Sequence, residues 1–378
     1  MRVLYLTPSF YPYRVPVFDE LHRRIGAGFE VVTLDTQPQQ NARVAIGLGS
    51  FPRRILKGRQ IPLTRMHDQG LETPFGLTLA PSLPPLLLRT SPDVVISANF
   101  NLWTLTALLL GYPTIIFWEG THHTERTIRP WRRRLRQFMV RRAKGFVVNG
   151  HLSRRYLESL GADPSVIHEG GLCADPPPTS YKDRLPPKDT VSKIRFLFVG
   201  QLIERKGVSH LLHAIRRLVD QLENQAPFEL TLVGTGLDEA AYRTKVRELG
   251  IEDWVRFAGA ATHDQVWSYY ATSHVFVLPT MQDNWPLVVP EAMSMGLPLL
   301  LSVHTGSLPD LLEEGNNGWS FDPGSPDDLA ERMATYVRQP TLIETHGKRS
   351  LEVVRRYTAS AVANTFITAV NMAKRGRG

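Results

Sequence analysis

The amino-acid sequence predicts an α/β protein built from two Rossmann-like domains that face each other across a cleft. Its 378 residues exceed what one ordinary core needs, which favours two domains. Short apolar segments typical of buried strands alternate with helical segments in both halves of the chain. A Pro-rich stretch at 173–189 interrupts this alternation. Because alternating strands and helices build parallel sheets, we expect one such sheet in each half.

The break in the pattern sets the predicted domain boundaries. We expect an N-terminal domain at 1–175, a linker at 176–190 and a C-terminal domain at 191–355. The last segment, 356–378, has a helical pattern, and a helix in this position can cross back to the N-terminal domain. Ligands of open parallel sheets lie beyond the carboxyl ends of the strands, so the cleft is the predicted site.

Each domain has its own series of predicted strands and helices. The N-terminal strands are RVLYLT, FEVVTLD, DVVISAN, TIIFWEG and GFVVNG. The helices between them are FDELHRRIGAG and segments near 101–110 and 129–144. The C-terminal strands are IRFLFVG, FELTLVG, VRFAG and HVFVLP. Their helices begin near 207 and lie near 238–249 and 264–271.

The composition is that of a globular protein, 42% hydrophobic and 21% charged. Further features of the sequence argue against several other classes of protein. The single cysteine, Cys173, excludes an internal disulfide framework and favours a cytoplasmic location. The start of the chain, MRVLYLTPSFYPYR, is broken by prolines and arginines, so it does not read as a secretory signal. The longest apolar run has 17 residues and contains Gly111 and Pro113, which argues against a membrane span.

Positive charge is concentrated in the N-terminal half. Residues 1–175 have a net charge of +9 and residues 176–378 a net charge of −1. From Arg126 to Arg155 there are eleven Lys or Arg residues and no acidic residue. This segment is interpreted either as a surface for peripheral contact with an anionic membrane or as a helix with solvated arginines. No DNA-binding motif accompanies the charge, so we expect no nucleic-acid partner.

A helical apolar stripe runs through the same basic segment. Trp131, Leu135, Phe138 and Met139 recur at helical spacing. Because a helix between two parallel strands needs an apolar face against the sheet, we expect this stripe to lie in the core.

Three strand ends in the C-terminal half carry residues suited to a ligand. Arg205 and Lys206 follow the first, and two cations at a strand–helix junction favour an anion site. Gly234 and Gly236 follow the second, where glycine allows close approach of the backbone. Each loop alone is also typical of an ordinary turn. Asp283 and Glu291 follow the third, HVFVLP, and three such loops in sequence favour a binding site.

The C-terminal half resembles the retaining GT-B glycosyltransferases of family 4, the glycosyl transferases group 1. Segments that match the family in order and spacing span about residues 194–325: GQLIERKG, LVGTGLDE, VRFAGAATHDQVWSYYATSHVFVLPT, DNWPLVVPEAMSMGLPLL and GNNGWSFDP. The N-terminal half matches in its strand–helix rhythm.

The resemblance implies roles for five residues. The Glu-x7-Glu motif of the family corresponds to Asp283, beside the donor sugar, and Glu291, on the ribose hydroxyls. The phosphate-binding Arg and Lys of the family correspond to Gln201 and Lys206, and Arg205 can supply the charge that Gln201 lacks. Asp283 is one methylene shorter than the usual Glu.

Two further departures from the family concern the donor. The Gly-aromatic-Gly between the two acids stands here as Asn284-Trp285-Pro286, which makes Asn284 and Trp285 donor-binding candidates. The Gly-Gly loop near the N-terminus, whose amides contact the diphosphate in the family, stands here as Tyr13-Arg14. We expect the Arg14 guanidinium to replace those contacts.

The candidate catalytic groups of the N-terminal domain lie in TIIFWEGTHHTERT. Many family members have a His near the end of this strand; here Glu119 ends it and His122 follows, and the choice between them stays open. His123 is interpreted as a solvent-facing loop residue. We expect no metal site and no cofactor, because no second ligand pair accompanies the histidines and the retaining transfer of this family needs no metal.

The resemblance implies transfer of a sugar from a nucleotide-sugar donor to a hydroxyl acceptor, with retention of configuration. The acceptor is expected to be a glycan, a lipid-linked precursor or a small molecule. Two alternatives use the same pocket: a sugar-nucleotide epimerase or hydrolase of GT-B fold, and a non-catalytic nucleotide-sugar-binding protein.

Overall fold

A computed structural model of the protein describes residues 1–34, 49–64, 75–173, 176–181, 193–223 and 227–375. The described residues form two units. The N-terminal unit comprises 1–175 together with 356–378, and the C-terminal unit comprises 176–355. Most of the segment expected to be a linker, 176–190, lies outside the described residues.

The N-terminal unit contains nine strands and five helices before the chain leaves it, within the residues that the structure describes. Its strands are β1 (Val3–Leu6), β2 (Phe29–Leu34), β3 (Arg53–Leu56), β4 (Arg59–Thr64), β5 (Phe75–Leu79), β6 (Val94–Ala98), β7 (Thr114–Trp118), β8 (Gly145–Val148) and β9 (Ile167–Glu169). Its helices are α1 (Val15–Ile25), α2 (Leu83–Thr90), α3 (Leu102–Leu109), α4 (Pro130–Val140) and α5 (His151–Ser159).

Seven of these strands form one sheet in the order β3-β2-β1-β6-β7-β8-β9. Every neighbouring pair in it is parallel. The central strands are buried along their whole length, because helices cover both faces of a parallel sheet. The chain order reverses between β1 and β6, and such a switch point opens a crevice at the carboxyl ends of the strands. Strands β4 and β5 form a separate antiparallel pair.

The C-terminal unit contains a second parallel sheet. Its strands are β10 (Ile194–Val199), β11 (Phe228–Val233), β12 (Val255–Gly259), β13 (Val275–Leu278), β14 (Leu299–Ser302) and β15 (Gly318–Phe321). Its helices are α6 (Val208–Gln221), α7 (Glu239–Glu248), α8 (His263–Thr272), α9 (Val288–Ser294), α10 (Leu308–Leu311), α11 (Pro326–Arg338) and α12 (Thr341–Val354). The sheet order is β12-β11-β10-β13-β14-β15, so its switch point lies between β10 and β13.

The last helix, α13 (Ala359–Arg375), belongs to the N-terminal unit. It packs on α1 and on the sheet, where the Phe366 ring lies 5.9 Å from the Tyr5 ring and 5.6 Å from the Phe117 ring. Among the helices that the structure describes, none combines the length and the apolar character that a membrane span requires.

The expectation that the apolar stripe of α4 lies in the core is wrong for two of its residues. Met139 is buried, but Trp131 is 55% exposed and Leu135 is 36% exposed. The buried face consists of Arg136, Met139 and Val140, which recur at the i, i+3, i+4 spacing of one helix face. Because Leu135 precedes Arg136 by one residue, about 100° around the helix, it turns toward solvent. The sequence pattern missed this because an arginine occupies the inward position.

Candidate functional site

The C-terminal unit brings together predicted donor-binding residues at its switch point. After β10 the chain makes a single helical turn at Glu204–Lys206 and then enters α6 through Gly207. Gly207 has φ +70°, and a Cβ there would lie 1.9 Å from the carbonyl oxygen of Pro279. Only glycine fits so close to the end of β13, so the loops after β10 and β13 are held against each other.

Three predicted residues meet where these loops touch. Lys206 Nζ lies 2.5 Å from Asp283 Oδ2, and Arg205 Nη1 lies 3.9 Å from the same oxygen. Arg205 Nη1 also donates to the backbone carbonyl of Gln282 at 2.7 Å. The side chains of Lys206 and Asp283 are 12% and 16% exposed, so water screens their interaction weakly. Two cations thus meet at the Asp283 carboxylate, and cations held in this way can also bind an anion.

The backbone at Asp283 is fixed by the loop that follows β14. Asp283 and Thr305 form an isolated parallel bridge, and Gly306 N donates to Asp283 O at 2.7 Å. A Cβ at Gly306 would lie 2.2 Å from Asn284 O, so the two loops touch backbone to backbone. Buried polar atoms without a hydrogen-bond partner among the described residues cluster here: Asn284 Oδ1, Thr305 Oγ1 and Ser307 Oγ.

Glu291 is held from a neighbouring helix. It lies in the first turn of α9, is 4% exposed, and accepts a hydrogen bond from the Tyr270 hydroxyl at 2.8 Å. Tyr270 lies on α8, which starts with a reciprocal cap between Thr262 and Gln265. Sequence reasoning missed Tyr270, because a tyrosine on the inner face of a helix is usually a core residue.

The remaining donor-side candidates are placed differently. Gln201 is exposed, whereas Trp285 is buried, 6% exposed. A Cβ at Gly234 would lie 1.9 Å from Gly200 O, and one at Gly236 would lie 2.2 Å from Leu202 O. Both glycines are therefore required for packing the loop after β11 against the loop after β10, a reason that holds with or without a ligand.

In the N-terminal unit the structure pairs two candidates that the sequence treated separately. Arg14 Nη2 donates to Glu119 Oε1 at 2.9 Å. The Arg14 side chain is 4% exposed and that of Glu119 is 22% exposed. The guanidinium that was expected to contact a diphosphate is here buried and engaged by a carboxylate.

His122 lies in the loop that joins β7 to α4, and it is exposed. Its ring lies 5.4 Å from the Tyr156 ring in an edge-on arrangement. Arg136 supports this loop from α4, because its Nη1 donates to Glu125 Oε2 at 2.6 Å and to the Tyr156 hydroxyl at 2.5 Å. The structure thus places His122 against α5, while Glu119 turns toward Arg14. Within the described part of the chain, no group of three or more His, Cys, Asp or Glu side chains is arranged to hold a metal ion.

Two family descriptions match the chain, one in each unit. Residues 183–351 match the family described as glycosyl transferases group 1. Residues 17–169 match the family described as glycosyl transferase 4-like domain. The first range contains Lys206, Asp283 and Glu291, and the second contains Glu119.

Curated relatives carry similar descriptions. The chain is 32% identical over 143 residues to an amylovoran biosynthesis glycosyltransferase of Erwinia amylovora, covering 36% of this chain and 34% of that protein. It is 27% identical over 344 residues to a phosphatidyl-myo-inositol mannosyltransferase of Mycobacterium leprae, covering 89% of this chain and 78% of that protein. The match spans only 34% to 45% of the length of three of the curated relatives.

Solved structures share the fold over nearly the whole chain. The Anabaena protein HepE, crystallised in complex with UDP, superposes with a TM-score of 0.73. It is 15% identical in sequence, and the match covers 98% of this chain and 100% of HepE. The two parallel-sheet units are therefore those of the GT-B fold.

Proposed function

This chain belongs to the glycosyl transferases group 1 family and has the GT-B fold, and from that premise we propose that it transfers a sugar from a nucleotide-sugar donor to a hydroxyl acceptor. The observation that carries the proposal is the meeting of Lys206 and Asp283 at the switch point of the C-terminal sheet. A partly buried cation beside a carboxylate offers one group for a diphosphate and one for a sugar hydroxyl.

In the proposed reaction the bond between the anomeric carbon and the diphosphate oxygen breaks. The acceptor oxygen bonds to the same carbon, and its proton passes to the departing diphosphate. The diphosphate gains negative charge as it leaves, and Lys206 and Arg205 stabilise that charge without a metal ion. Attack on the face from which the diphosphate departs retains the configuration.

The rest of the donor is assigned to the same unit. We propose that Glu291 binds the ribose hydroxyls and that Asp283 orients the donor sugar. The burial of Glu291 and its hydrogen bond from Tyr270 support this. A carboxylate that is already fixed in place accepts hydrogen bonds from two neighbouring hydroxyl groups with little further loss of entropy. Gln201, Asn284 and Trp285 remain donor-side candidates.

The acceptor is assigned to the N-terminal unit, with Glu119 and His122 as the candidate catalytic groups. We propose a glycan or lipid-linked precursor of the cell envelope as its class. The names of the relatives support this, since one is a protein of amylovoran biosynthesis and another a phosphatidyl-myo-inositol mannosyltransferase.

Contact with an anionic membrane would bring a lipid-linked acceptor to this unit. We propose that the outer face of α4 makes it. Trp131 and Leu135 are exposed there. Arg129, which precedes α4, and Arg134, within it, are exposed as well. Aromatic and aliphatic side chains surrounded by arginines are the pattern of an interfacial helix. The exposed Leu109 lies at the end of α3, which packs on α4.

The test is product analysis with radiolabelled UDP-, GDP- and ADP-sugars, with and without a bacterial membrane extract. The proposal predicts label in an extract component and little product from donor alone. Free sugar or an epimer formed without extract would instead establish a hydrolase or epimerase. Donor binding without turnover in any extract would establish a non-catalytic binding protein.

A further inference from the structure

The contact between Arg14 and Glu119 spans two strands of the N-terminal sheet. Arg14 follows β1 and Glu119 follows β7, and β6 lies between these strands. Arg14 lies directly before α1, eight residues beyond the end of β1, and its guanidinium reaches Glu119 Oε1 at 2.9 Å.

Aromatic rings enclose the Arg14 guanidinium. Its Cζ lies 4.7 Å from the centre of the Phe117 ring, 5.2 Å from that of Tyr11 and 5.6 Å from that of Tyr13. These rings offer the cation their electron-rich faces and exclude water. The planar guanidinium is suited to this stacking, whereas a lysine ammonium group is not.

Tyr5 and Tyr13, which also lie beside Arg14, carry no charge at neutral pH. Burial raises the pKa of Tyr5, on β1, to about 12, and it raises the pKa of Tyr13 as well. The remaining polar contact to this position is Ser153 of α5, whose hydroxyl donates to Glu119 O at 3.1 Å. Within the described residues, Glu119 is thus the carboxylate that balances the buried cation.

The two oxygens of Glu119 have different surroundings. Arg14 holds Oε1, while Oε2 has no hydrogen-bond partner among the described residues, and the side chain is 22% exposed. A carboxylate held at one oxygen and open at the other accepts a hydrogen bond from an incoming hydroxyl group in a fixed direction.

We propose that Arg14 is a positioning residue that aims the Glu119 carboxylate at a sugar hydroxyl group, and that it does not bind the diphosphate. This inference rests on the proposed sugar transfer and assigns the hydroxyl to the reacting sugar or its acceptor. The Arg14 side chain is only 4% exposed, so it offers little surface to a diphosphate, and a move away from Glu119 would leave that carboxylate without its cation.

The matched variants are Arg14→Met, Arg14→Lys, Glu119→Gln and the double variant Arg14→Met/Glu119→Gln. Arg14→Met keeps the apolar bulk and removes the charge. Arg136→Met is the control, because Arg136 is also buried, also lies over an aromatic ring and also pairs with a carboxylate, Glu125. Circular dichroism and thermal unfolding select variants that fold.

Three readouts distinguish the roles of Arg14. Calorimetry with UDP should give Arg14→Met a Kd within about twofold of the wild-type value, while kcat for transfer falls at least about tenfold. The double variant should be no slower than either single variant, because each single variant already removes the ion pair between Arg14 and Glu119. Arg14→Lys should recover only part of the rate. When Arg136→Met is combined with Glu119→Gln, the fold reductions in transfer rate of the two single variants should multiply.

The opposite pattern would overturn the inference. If Arg14→Met weakens UDP binding about tenfold or more and multiplies with Glu119→Gln, Arg14 binds the diphosphate. A wild-type chain that transfers no sugar would overturn the proposed function itself, and that result is visible before any variant is made.

Discussion

Lys206 Nζ lies 2.5 Å from Asp283 Oδ2, although the two side chains follow different strands of the C-terminal sheet. Both are mostly shielded from water. In the proposed function, a diphosphate that enters beside them would compete with Asp283 for the ammonium group. The pair therefore predicts opposite effects on nucleotide binding for substitutions at its two ends.

Lys206→Ala should weaken UDP binding about 10- to 100-fold, because a hydrogen bond to a charged group contributes about 1.5–3 kcal/mol. Isothermal titration calorimetry gives the Kd. The control is Lys193→Ala, which removes an ammonium group that is 45% exposed and pairs with Glu229 in the same unit. Equal Kd values for wild type and Lys206→Ala would remove Lys206 from the donor site.

Asp283→Asn should leave UDP binding unchanged or tighten it severalfold, since it frees Lys206 from its carboxylate. The same substitution should reduce the transfer rate about 100-fold, because an amide replaces the carboxylate beside the reacting sugar. Calorimetry and initial rates separate the two effects. Loss of UDP affinity would show that Asp283 supports the nucleotide site rather than the sugar.

Glu291→Gln should abolish discrimination between UDP and 2′-deoxy-UDP. A buried carboxylate that accepts from ribose hydroxyls favours UDP by about tenfold, about one charged hydrogen bond. Tyr270→Phe should have an intermediate effect, because the Tyr270 hydroxyl donates to Glu291 at 2.8 Å. A wild-type protein that binds both nucleotides equally would contradict the assignment of Glu291 to the ribose.

Trp131→Ala/Leu135→Ala should reduce sedimentation with vesicles of phosphatidylglycerol and phosphatidylcholine about tenfold. The variant removes apolar area that would enter the interface. Binding by the wild type should fall at high salt and with pure phosphatidylcholine vesicles. Leu237→Ala is the control, since Leu237 is 83% exposed on the C-terminal unit. Equal sedimentation of all three proteins would exclude the α4 face.

The free energy of unfolding should fall as the pH is lowered from about 6.5 to 4, in part through His274. Burial, with a contribution from the charge of Arg195, lowers the pKa of His274 to about 4. In this window the unfolded chain binds a proton that the folded chain excludes, so acid favours unfolding by at most about 3 kcal/mol. Urea titrations of wild type and His274→Asn measure it; the variant should show a shallower pH dependence. The same pH dependence of the free energy of unfolding in wild type and His274→Asn would contradict the role of His274.

The proximity of Lys206 and Asp283 could be expected from the sequence, because both lie in short loops at the ends of predicted strands. Parallel strands bring such loops to one edge, so Lys206 and Asp283 meet without any long-range information beyond the strand order. The pairing of Arg14 with Glu119 was not predictable in this way. It joins two residues that are 105 positions apart in the sequence, which no local pattern encodes.

The packing of α4 shows a second limit of pattern reasoning. A stripe of Trp131 and Leu135 predicts burial only if apolar residues occupy the inner face. Arg136 occupies it instead, because Glu125 and the Tyr156 hydroxyl satisfy its guanidinium. Such partners are distant in sequence or hidden in loops, so the sequence pattern misplaced Trp131 and Leu135.

Lys206 and Glu291 are proposed to hold a nucleotide-sugar donor whose sugar is transferred. This assignment is tested by radiolabelled sugar transfer to a membrane-extract acceptor by wild type, Lys206→Ala and Glu291→Ala. We predict measurable transfer by the wild type with a donor from the panel, and a loss of about 100-fold or more in each variant. Transfer at wild-type rates by both variants would contradict the account.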